Sequence, residues 1–548
     1  MPSSKAIRSK KSSSRDPHFF YIFVNFGIVT TKLPFPPTSN DFQHFSWIMD
    51  SPLDTILNPH GIAVFGANNN FMTMGTGQLA NILHGFPGKV FPVHPVLETV
   101  LGQKAYKSVL DIPPEEMVDL AFIVVSAKNV PAILAECAQR GITHAVIISA
   151  GFRETGNTMI NEQLLATTRE HGIRFVGPNC FGFYNRNVTW ADEGSEAMIN
   201  TTLIPTNLQN GGISIASQSG TFASHIFLPA QRIGMGINKT ISVGNEANID
   251  LVDCLEYFEQ DPFTHVIGLY IEEIKRGREF MKVASRIVKS KPIVALYVGG
   301  TEAGARGGKS HTGALGGNDK IFDAMARQVG IIRAMSIEEL LDYCYILDVS
   351  PLPKGDRICI LTNAGGPGVT MSDLAERLGL QVPMFSAGFQ DKLRDTINIP
   401  TAQVGNIVDL TFDLDPEKMY RTLPRMILKC EEIDGLLLYG IIGYQFYQLF
   451  QDIAPILQLP IEDIKSIQLT LLDHFAKLPF KLGKPVIAAA LFGREDAAVS
   501  YLLDHGFPVF EMPHRAVKAF WALNEYRKIR ERAERRETNN RRESLVKT

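Results

Sequence analysis

Residues 299–317 hold eight glycines in 19 positions and one imidazole, in the run Lys309-Ser310-His311-Thr312-Gly313-Ala314-Leu315. A neutral imidazole is a nucleophile and a proton carrier near neutral pH. Glycine backbone lets such a loop approach a ligand closely and also move. Residue type and setting place His311 for chemistry on an anion, against the plainer reading of a loop histidine without a role. Glu272 and Glu273 follow the apolar run 265–271. A carboxylate that accepts from one ring nitrogen fixes the tautomer and leaves the other nitrogen free to attack. Taken alone, the pair reads as solvated surface charge.

Two further segments place backbone amides where an anion would sit. Ser217-Gln218-Ser219-Gly220-Thr221 follows an apolar strand and opens a helix, so Ser219, Gly220 and Thr221 suit a phosphate or phosphoryl group. A serine at a helix start is also an ordinary cap. The surroundings do not form G-x-S-x-G, which argues against Ser219 as a hydrolase nucleophile. Strand 61–65 runs into the turn Gly66-Ala67-Asn68-Asn69-Asn70 and a helix toward His84, an arrangement that suits the phosphates of a nucleotide-containing cofactor. No G-x-G-x-x-G is present, and the second strand ends Pro92-Val93-His94-Pro95-Val96 with no acid for ribose hydroxyls. Nicotinamide is therefore disfavoured, and coenzyme A fits the same helix terminus. A tight turn that binds nothing is the plain alternative.

The elements that must position these residues alternate in the manner of parallel α/β sheets. The first block has expected strands at 61–65, 89–93, 118–125, 144–149 and 174–176, a Rossmann-type unit by pattern. A second has 212–216, 240–243, 265–271 and 293–298, then the His311 loop and a helix from about 319. After a proline-bearing linker at 348–355, a third has 357–361, 435–439 and 485–489 and ends in a helix from about 514. The expected fold class is α/β with three parallel-sheet domains, at 52–190, 191–350 and 351–525. They are flanked by an N-terminal extension (1–51), expected to be disordered, and a charged C-terminal tail (526–548).

Composition narrows the class of protein. With 45% hydrophobic and 20% charged residues and a net charge of −3, neither nucleic acid nor a membrane is the expected partner. Six cysteines are scattered without zinc-type spacing, so no metal site is expected and reduced thiols in a cytoplasmic protein are. Residues 1–48 carry a basic stretch and an apolar run at 19–29, which imitates a signal peptide but contains Asp16 and lacks a small-residue cleavage site. Met49 is the expected natural start. Residues 524–548 hold nine Lys or Arg and five Glu, read as a solvated helix extension that frays.

The order of these pieces, with Ser149-Ala150-Gly151-Phe152, Gly177-Pro178-Asn179-Cys180, Gly244-Asn245, Ser310-His311-Thr312-Gly313-Ala314-Leu315 and Gly405-Asn406-Ile407-Val408-Asp409-Leu410, resembles the NDP-forming acyl-CoA synthetases of the succinyl-CoA synthetase superfamily. The resemblance covers roughly residues 52–525 and implies a CoA-binding domain followed by two flavodoxin-like ligase domains. It implies the interconversion of acyl-CoA, phosphate and NDP with carboxylate, CoA and NTP. An acyl phosphate and a phosphohistidine at His311 would be intermediates, with Glu272 orienting the ring and Ser219, Gly220 and Thr221 holding phosphate. CoA contacts carry over onto Gly66, Ala67, Asn68, Ser126, Ala127, Ser149 and Ala150. Where the family reads Asn-Pro-Lys, this chain has His94-Pro95-Val96, leaving Lys104 or Lys128 to supply the charge. The family's Val-Pro-Ala has become Val125-Ser126-Ala127. No ATP-grasp block is present, so the chain is expected to be an alpha subunit whose ADP/ATP and magnesium are handled by a separate beta subunit. A non-catalytic CoA-binding regulatory protein of the same fold is the competing reading.

Overall fold

The computed structural model describes residues 51–191, 197–206, 208–304, 306, 317–411, 413, 415–440, 456 and 461–547. The chain divides into two units, Met1–Trp47 and Ile48–Thr548, and the described residues all belong to the second. The extension expected at 1–51 therefore falls outside them, apart from Ser51, which caps the helix Pro52–Leu57.

Short β-branched runs between glycine and proline turns become buried parallel strands, because both faces are covered by helices and every position needs an apolar side chain. The first sheet contains β1 (Gly61–Phe65) and β2 (Lys89–Val93). A small hairpin of β3 (Thr99–Val100) and β4 (Gln103–Lys104) follows, then β5 (Leu120–Ile123), β6 (His144–Ile147) and β7 (Arg174–Val176). Its order is β2-β1-β5-β6-β7, with every pair parallel.

The second sheet holds β8 (Phe183–Asn185), β9 (Ile199–Asn200), β10 (Ile213–Ser217), β11 (Ile237–Ser242), β12 (Val266–Ile271), β13 (Ile293–Tyr297) and β14 (Ile332–Ala334). The third holds β15 (Ile358–Thr362), β16 (Val408–Asp409), β17 (Gly435–Tyr439), β18 (Val486–Ala489) and β19 (Val509–Phe510). Their orders are β14-β13-β12-β10-β11-β8-β9 and β16-β15-β17-β18-β19. Leaving aside the antiparallel β8 and β9 at one edge and the separate β3–β4 hairpin, all three sheets repeat the order 2-1-3-4-5. That is the flavodoxin-type winding, whose ligand crevice opens between the first and third strands. The first sheet is thus doubly wound in the broad sense expected of it, without the 3-2-1-4-5 order of dinucleotide-binding folds.

A charged pair fixes the second sheet from within. Lys239 Nζ lies 2.9 Å from Asp261 Oδ2, and both side chains are fully buried. Asp261 also accepts from Asn238 Nδ2 (2.8 Å) and Thr264 Oγ1 (2.6 Å), so its lone pairs are satisfied. Burial raises its pKa, but Lys239 and these hydrogen bonds outweigh that and leave it lowered.

The run expected to fray is instead continuous helix, Pro513–Lys547. Tyr526 and Ile529 are buried, and their spacing of three puts them on the face that carries Ala522 and Leu523 into the core. The helix thus stays packed beyond residue 525. Among the described residues no helix is long and apolar enough to cross a membrane.

Candidate functional site

At the end of β1 the chain must turn sharply under β5. Gly66 has φ +93°, and a Cβ there would sit 2.1 Å from the Val124 carbonyl oxygen, so only glycine fits. Gly75 packs its Cα against the Gly66 carbonyl in turn. The hydroxyl of Thr76 closes the turn onto the helix Met74–Gly85, donating to Asn68 O (2.9 Å) and accepting from Asn68 N (3.0 Å). Asn69 ties down the β3–β4 hairpin, donating to Thr99 O (3.1 Å) and accepting from Leu101 N (2.9 Å).

Gly66, Ala67 and Asn68 after β1, Ser126 and Ala127 after β5, and Ser149 and Ala150 after β6 therefore lie at the same edge, on three neighbouring strands. Ala67 and Ala127 are buried, while Ser126 and Ala150 are exposed. Ser149 is buried, and its Oγ accepts from Val125 N at 3.2 Å, so part of its work is to hold the β5 end. His94 closes the turn after β2, its Nδ1 accepting from Val96 N (3.2 Å) and Leu97 N (3.0 Å). Beside this turn Val96 (77%), Phe71 (82%) and Met72 (76%) are open to solvent, an apolar rim around the edge. Lys104 lies over the Tyr106 ring with Nζ 4.9 Å from the centroid, and Lys128 is exposed next to Ala127. Small residues on the strand ends and an apolar rim fit a nucleotide-linked thiol, although basic charge at residue 96 is missing.

The second sheet builds the other half. Gln218, at the end of β10, is the residue that sequence reasoning passed over. Its Oε1 accepts from the backbone N–H of both Glu272 and Glu273, and its Nε2 donates to Glu273 O (2.7 Å). One amide side chain thus clamps the end of β12 to β10, at the crevice between the first and third strands of this sheet. Glu272 is buried at 7% exposure; Glu273 is half-buried, with Arg153 Nη2 at 3.4 Å. Ser219 caps the six-residue helix Gly220–His225, its Oγ accepting from Phe222 N (3.4 Å), with Thr221 Oγ1 at 3.5 Å. The plain capping reading of Ser219 is therefore met, and any anion contact would come in addition.

Around Gln218 the edges of the first and second sheets meet. Glu154 accepts from Gly151 N (2.5 Å) and Phe152 N (3.1 Å) on one side and from Asn245 Nδ2 (2.5 Å) on the other. Lys275 Nζ donates to the carbonyls of Asn245 (2.6 Å) and Glu246 (2.8 Å) and stands 3.9 Å from the Glu246 carboxylate. Burial lowers its pKa. Glu246 is 6% exposed with φ +49°, and burial pushes its carboxyl up to about 8 against the opposing pull of Lys275. Gln218, Glu246, Glu272, Glu273 and Lys275 border a space of about 10 Å³, room for roughly one water.

His311 lies outside the described residues, as do Lys309, Ser310 and 312–316. The two feet of its loop are described. β13 runs parallel to β12 with Ile271 opposite Tyr297, and the chain leaves it through Gly299 at φ +93°. It returns at Gly317, whose N–H donates to Tyr297 Oη (2.7 Å). Both feet are therefore fixed at the end of β13, one strand from Glu272.

The third sheet explains another sequence motif. Asn406 accepts from Ile360 N (3.1 Å) and donates to Ile358 O (2.9 Å) and Pro383 O (3.0 Å), so it buttresses β15. At the matching crevice of this sheet Gly440 has φ +106°, and a Cβ there would meet Asn363 Oδ1 at 2.1 Å.

Comparison with known proteins agrees with this geometry. Residues 60–186 match the family described as a CoA binding domain, and residues 210–347 that of a succinyl-CoA ligase like flavodoxin domain. The alpha subunit of ADP-forming acetate–CoA ligase II from Pyrococcus furiosus is 36% identical over 476 residues, covering 86% of this chain and 97% of that protein. ADP-forming acetate–CoA ligase from Methanocaldococcus jannaschii is 38% identical over 371 residues, 68% of this chain but 51% of that longer protein. The solved dinucleotide-forming acetyl-coenzyme A synthetase 1 of Ca. Korarchaeum cryptofilum, in complex with phosphate and ADP, superimposes with a TM-score of 0.75 at 31% identity, covering 88% and 98% of the two chains. A CoA-binding sheet followed by a succinyl-CoA-ligase-type sheet defines an acid–thiol ligase. The chain belongs to the ADP-forming acetate–CoA ligase family, and within it to the alpha-subunit type.

Proposed function

We propose that this chain is the alpha subunit of an enzyme interconverting acyl-CoA, phosphate and NDP with carboxylate, CoA and NTP, through an acyl phosphate and a phosphohistidine at His311. The carrying observation is the burial of Glu272 at the end of β12, clamped by Gln218, one strand from both feet of the loop that bears His311. CoA would be held at Gly66, Ala67, Asn68, Ser126, Ala127, Ser149 and Ala150, with the proposed domain limits 52–190, 191–350 and 351–525 as above. A phosphate oxygen attacks the thioester carbon and the thiol leaves. The free ring nitrogen of His311 then attacks phosphorus, and the carboxylate departs. Ser219, Gly220 and Thr221 present amides and hydroxyls to the phosphoryl oxygens, and Glu272 accepts from the other ring nitrogen, balancing the positive charge that the ring gains. His311 would then hand the phosphoryl group to ADP on an ATP-grasp beta subunit, where magnesium also belongs. Relatives that are themselves alpha subunits, matched over nearly their full length, support the split. A cytoplasmic setting suits six cysteines that are all free, five of them buried.

The test is phosphoryl transfer from γ-labelled ATP in the presence of a cognate beta subunit. Acid-labile label should appear on this chain, vanish in His311→Ala and fall by about 10²-fold or more in rate in Glu272→Gln, the scale set by loss of a positioned electrostatic partner. An acid-labile label that persists in His311→Ala overturns the mechanism. Exposed Val96, where a lysine would serve CoA, favours a second reading as a CoA-binding regulator. That reading gains if no label forms while CoA still binds.

A further inference from the structure

The helices Gly277–Ile287 and Asp319–Val329 run back across the second sheet, so their last turns lie at the edge where its strands begin, opposite Glu272. Together with the C-terminal helix they enclose a cleft of about 340 Å³. Its walls carry Lys282, Arg286, Lys289, Arg327, Arg532 and Arg536, and among the described residues no carboxylate lines it, in a chain whose net charge is −3. The floor is apolar, formed by Val288, Val329 and Ile529.

Helix ends explain part of this charge, since Arg286 and Arg327 sit in last turns where cations complement the helix dipole. Arg286 is in addition bonded to Glu259. Arg532 and Arg536 have no such reason. On the same helix Arg527, Lys528, Arg530 and Arg535 each pair with a glutamate, whereas the two that face the cleft form no ion pair among the described residues. They also stand four residues apart, where like charges repel along a helix. Lys282 and Arg327 likewise have no ion pair among the described residues. Four cations with no ion pair among the described residues stand around an apolar floor, a lining that suits an anion with an apolar part.

We propose that this cleft binds a small organic polyphosphate of the nucleoside di- or triphosphate class, away from the reaction centre. The volume falls in the range of small-molecule sites, about 300–1,000 Å³, room for one molecule of nucleotide size. Cations would take the phosphates, and Val288, Val329 and Ile529 would take the base and sugar. The bound molecule would join the helix that leads out of the His311 loop to the C-terminal helix.

Calorimetric titration of the full chain, first saturated with CoA, tests this with ATP and tripolyphosphate as probes. One further saturable ATP site is expected, weakened about tenfold or more by Arg532→Glu with Arg536→Glu. Both positions are exposed, so the unfolding midpoint and the CoA affinity should not move. Lys282→Glu alone should weaken ATP binding in the same direction. Tripolyphosphate should bind about fivefold more weakly than ATP, because it lacks the part that meets the apolar floor. Absence of saturable ATP uptake, or uptake indifferent to these reversals, overturns the proposal, as does tighter capture of a short oligonucleotide than of ATP. Equal affinity for tripolyphosphate overturns the nucleoside part. CoA binding is read separately, so failure here leaves the proposed ligase reaction standing.

Discussion

Glu246 sits between two influences whose balance decides its charge. An ammonium 3.9 Å away favours the carboxylate, while near-complete burial disfavours it. Burial wins because Lys275 directs two of its protons at the carbonyls of residues 245 and 246 and stays 3.9 Å from the carboxylate, whose Oε1 accepts instead from the neutral Leu251 N–H (3.0 Å). The folded chain therefore keeps this proton up to about pH 8, whereas the unfolded chain gives it up near 4.5. Between those values the folded state binds more protons, so its stability declines as pH rises through the window. Glu246→Gln removes the titration. Its unfolding midpoint, measured against the unmodified chain by thermal denaturation, should gain steadily from pH 5 to pH 8. A gap that is flat or shrinks with pH would mean that Lys275 holds the group ionised. Val96 makes a second residue-scale prediction. Its 77% exposure leaves room for a lysine without strain, and an exposed ion pair is worth about 0.2–1 kcal/mol. Val96→Lys should tighten CoA binding by about 1.5- to 5-fold, an effect that fades with added salt in equilibrium titrations.

At the scale of elements, strands surrounded by clear punctuation were legible from sequence: β1, β2, β7 and β17 begin and end where apolar runs meet glycine, proline or charge. Strand order was not, since adjacency across a sheet leaves no local mark. For the same reason Gln218 went unnoticed, because its partners lie 54 and 55 residues away and become neighbours only when β10 and β12 pair. The antiparallel β8 and β9 are too short to announce themselves. The packed turn beyond residue 525 did leave a signal, the three-residue spacing of Tyr526 and Ile529, hidden among charges. Nor did the sequence show Lys239 meeting Asp261 inside the second sheet, an ion pair with both side chains at 0% exposure. Removing one member of a buried pair strands the other, at a cost of about 3–5 kcal/mol. Asp261→Ala should lose that much in denaturant unfolding, and a loss below about 1 kcal/mol would show that water reaches Lys239 after all.

At the scale of the molecule, three sheets wound in one order place three crevices along the described residues, and the residues proposed to hold CoA and phosphate lie on the first two. In the proposed reaction the nucleotide that accepts the phosphoryl group is met on a partner subunit. The Methanocaldococcus jannaschii relative is a longer protein, of which this chain spans about half, whereas the Pyrococcus furiosus alpha subunits are spanned almost completely. A chain matching the subunit length should perform the CoA half of the reaction and depend on a partner for the nucleotide half. Supplied with acetyl-CoA, phosphate and ADP, the purified chain should bind CoA with one-to-one stoichiometry yet form no ATP in a luciferase assay. Adding a cognate ATP-grasp subunit should restore ATP formation, and His311→Ala should abolish it without changing CoA binding, since the CoA edge belongs to the first sheet and the loop to the second. ATP made by the unaccompanied chain would place nucleotide chemistry within these three sheets and remove the need for a partner.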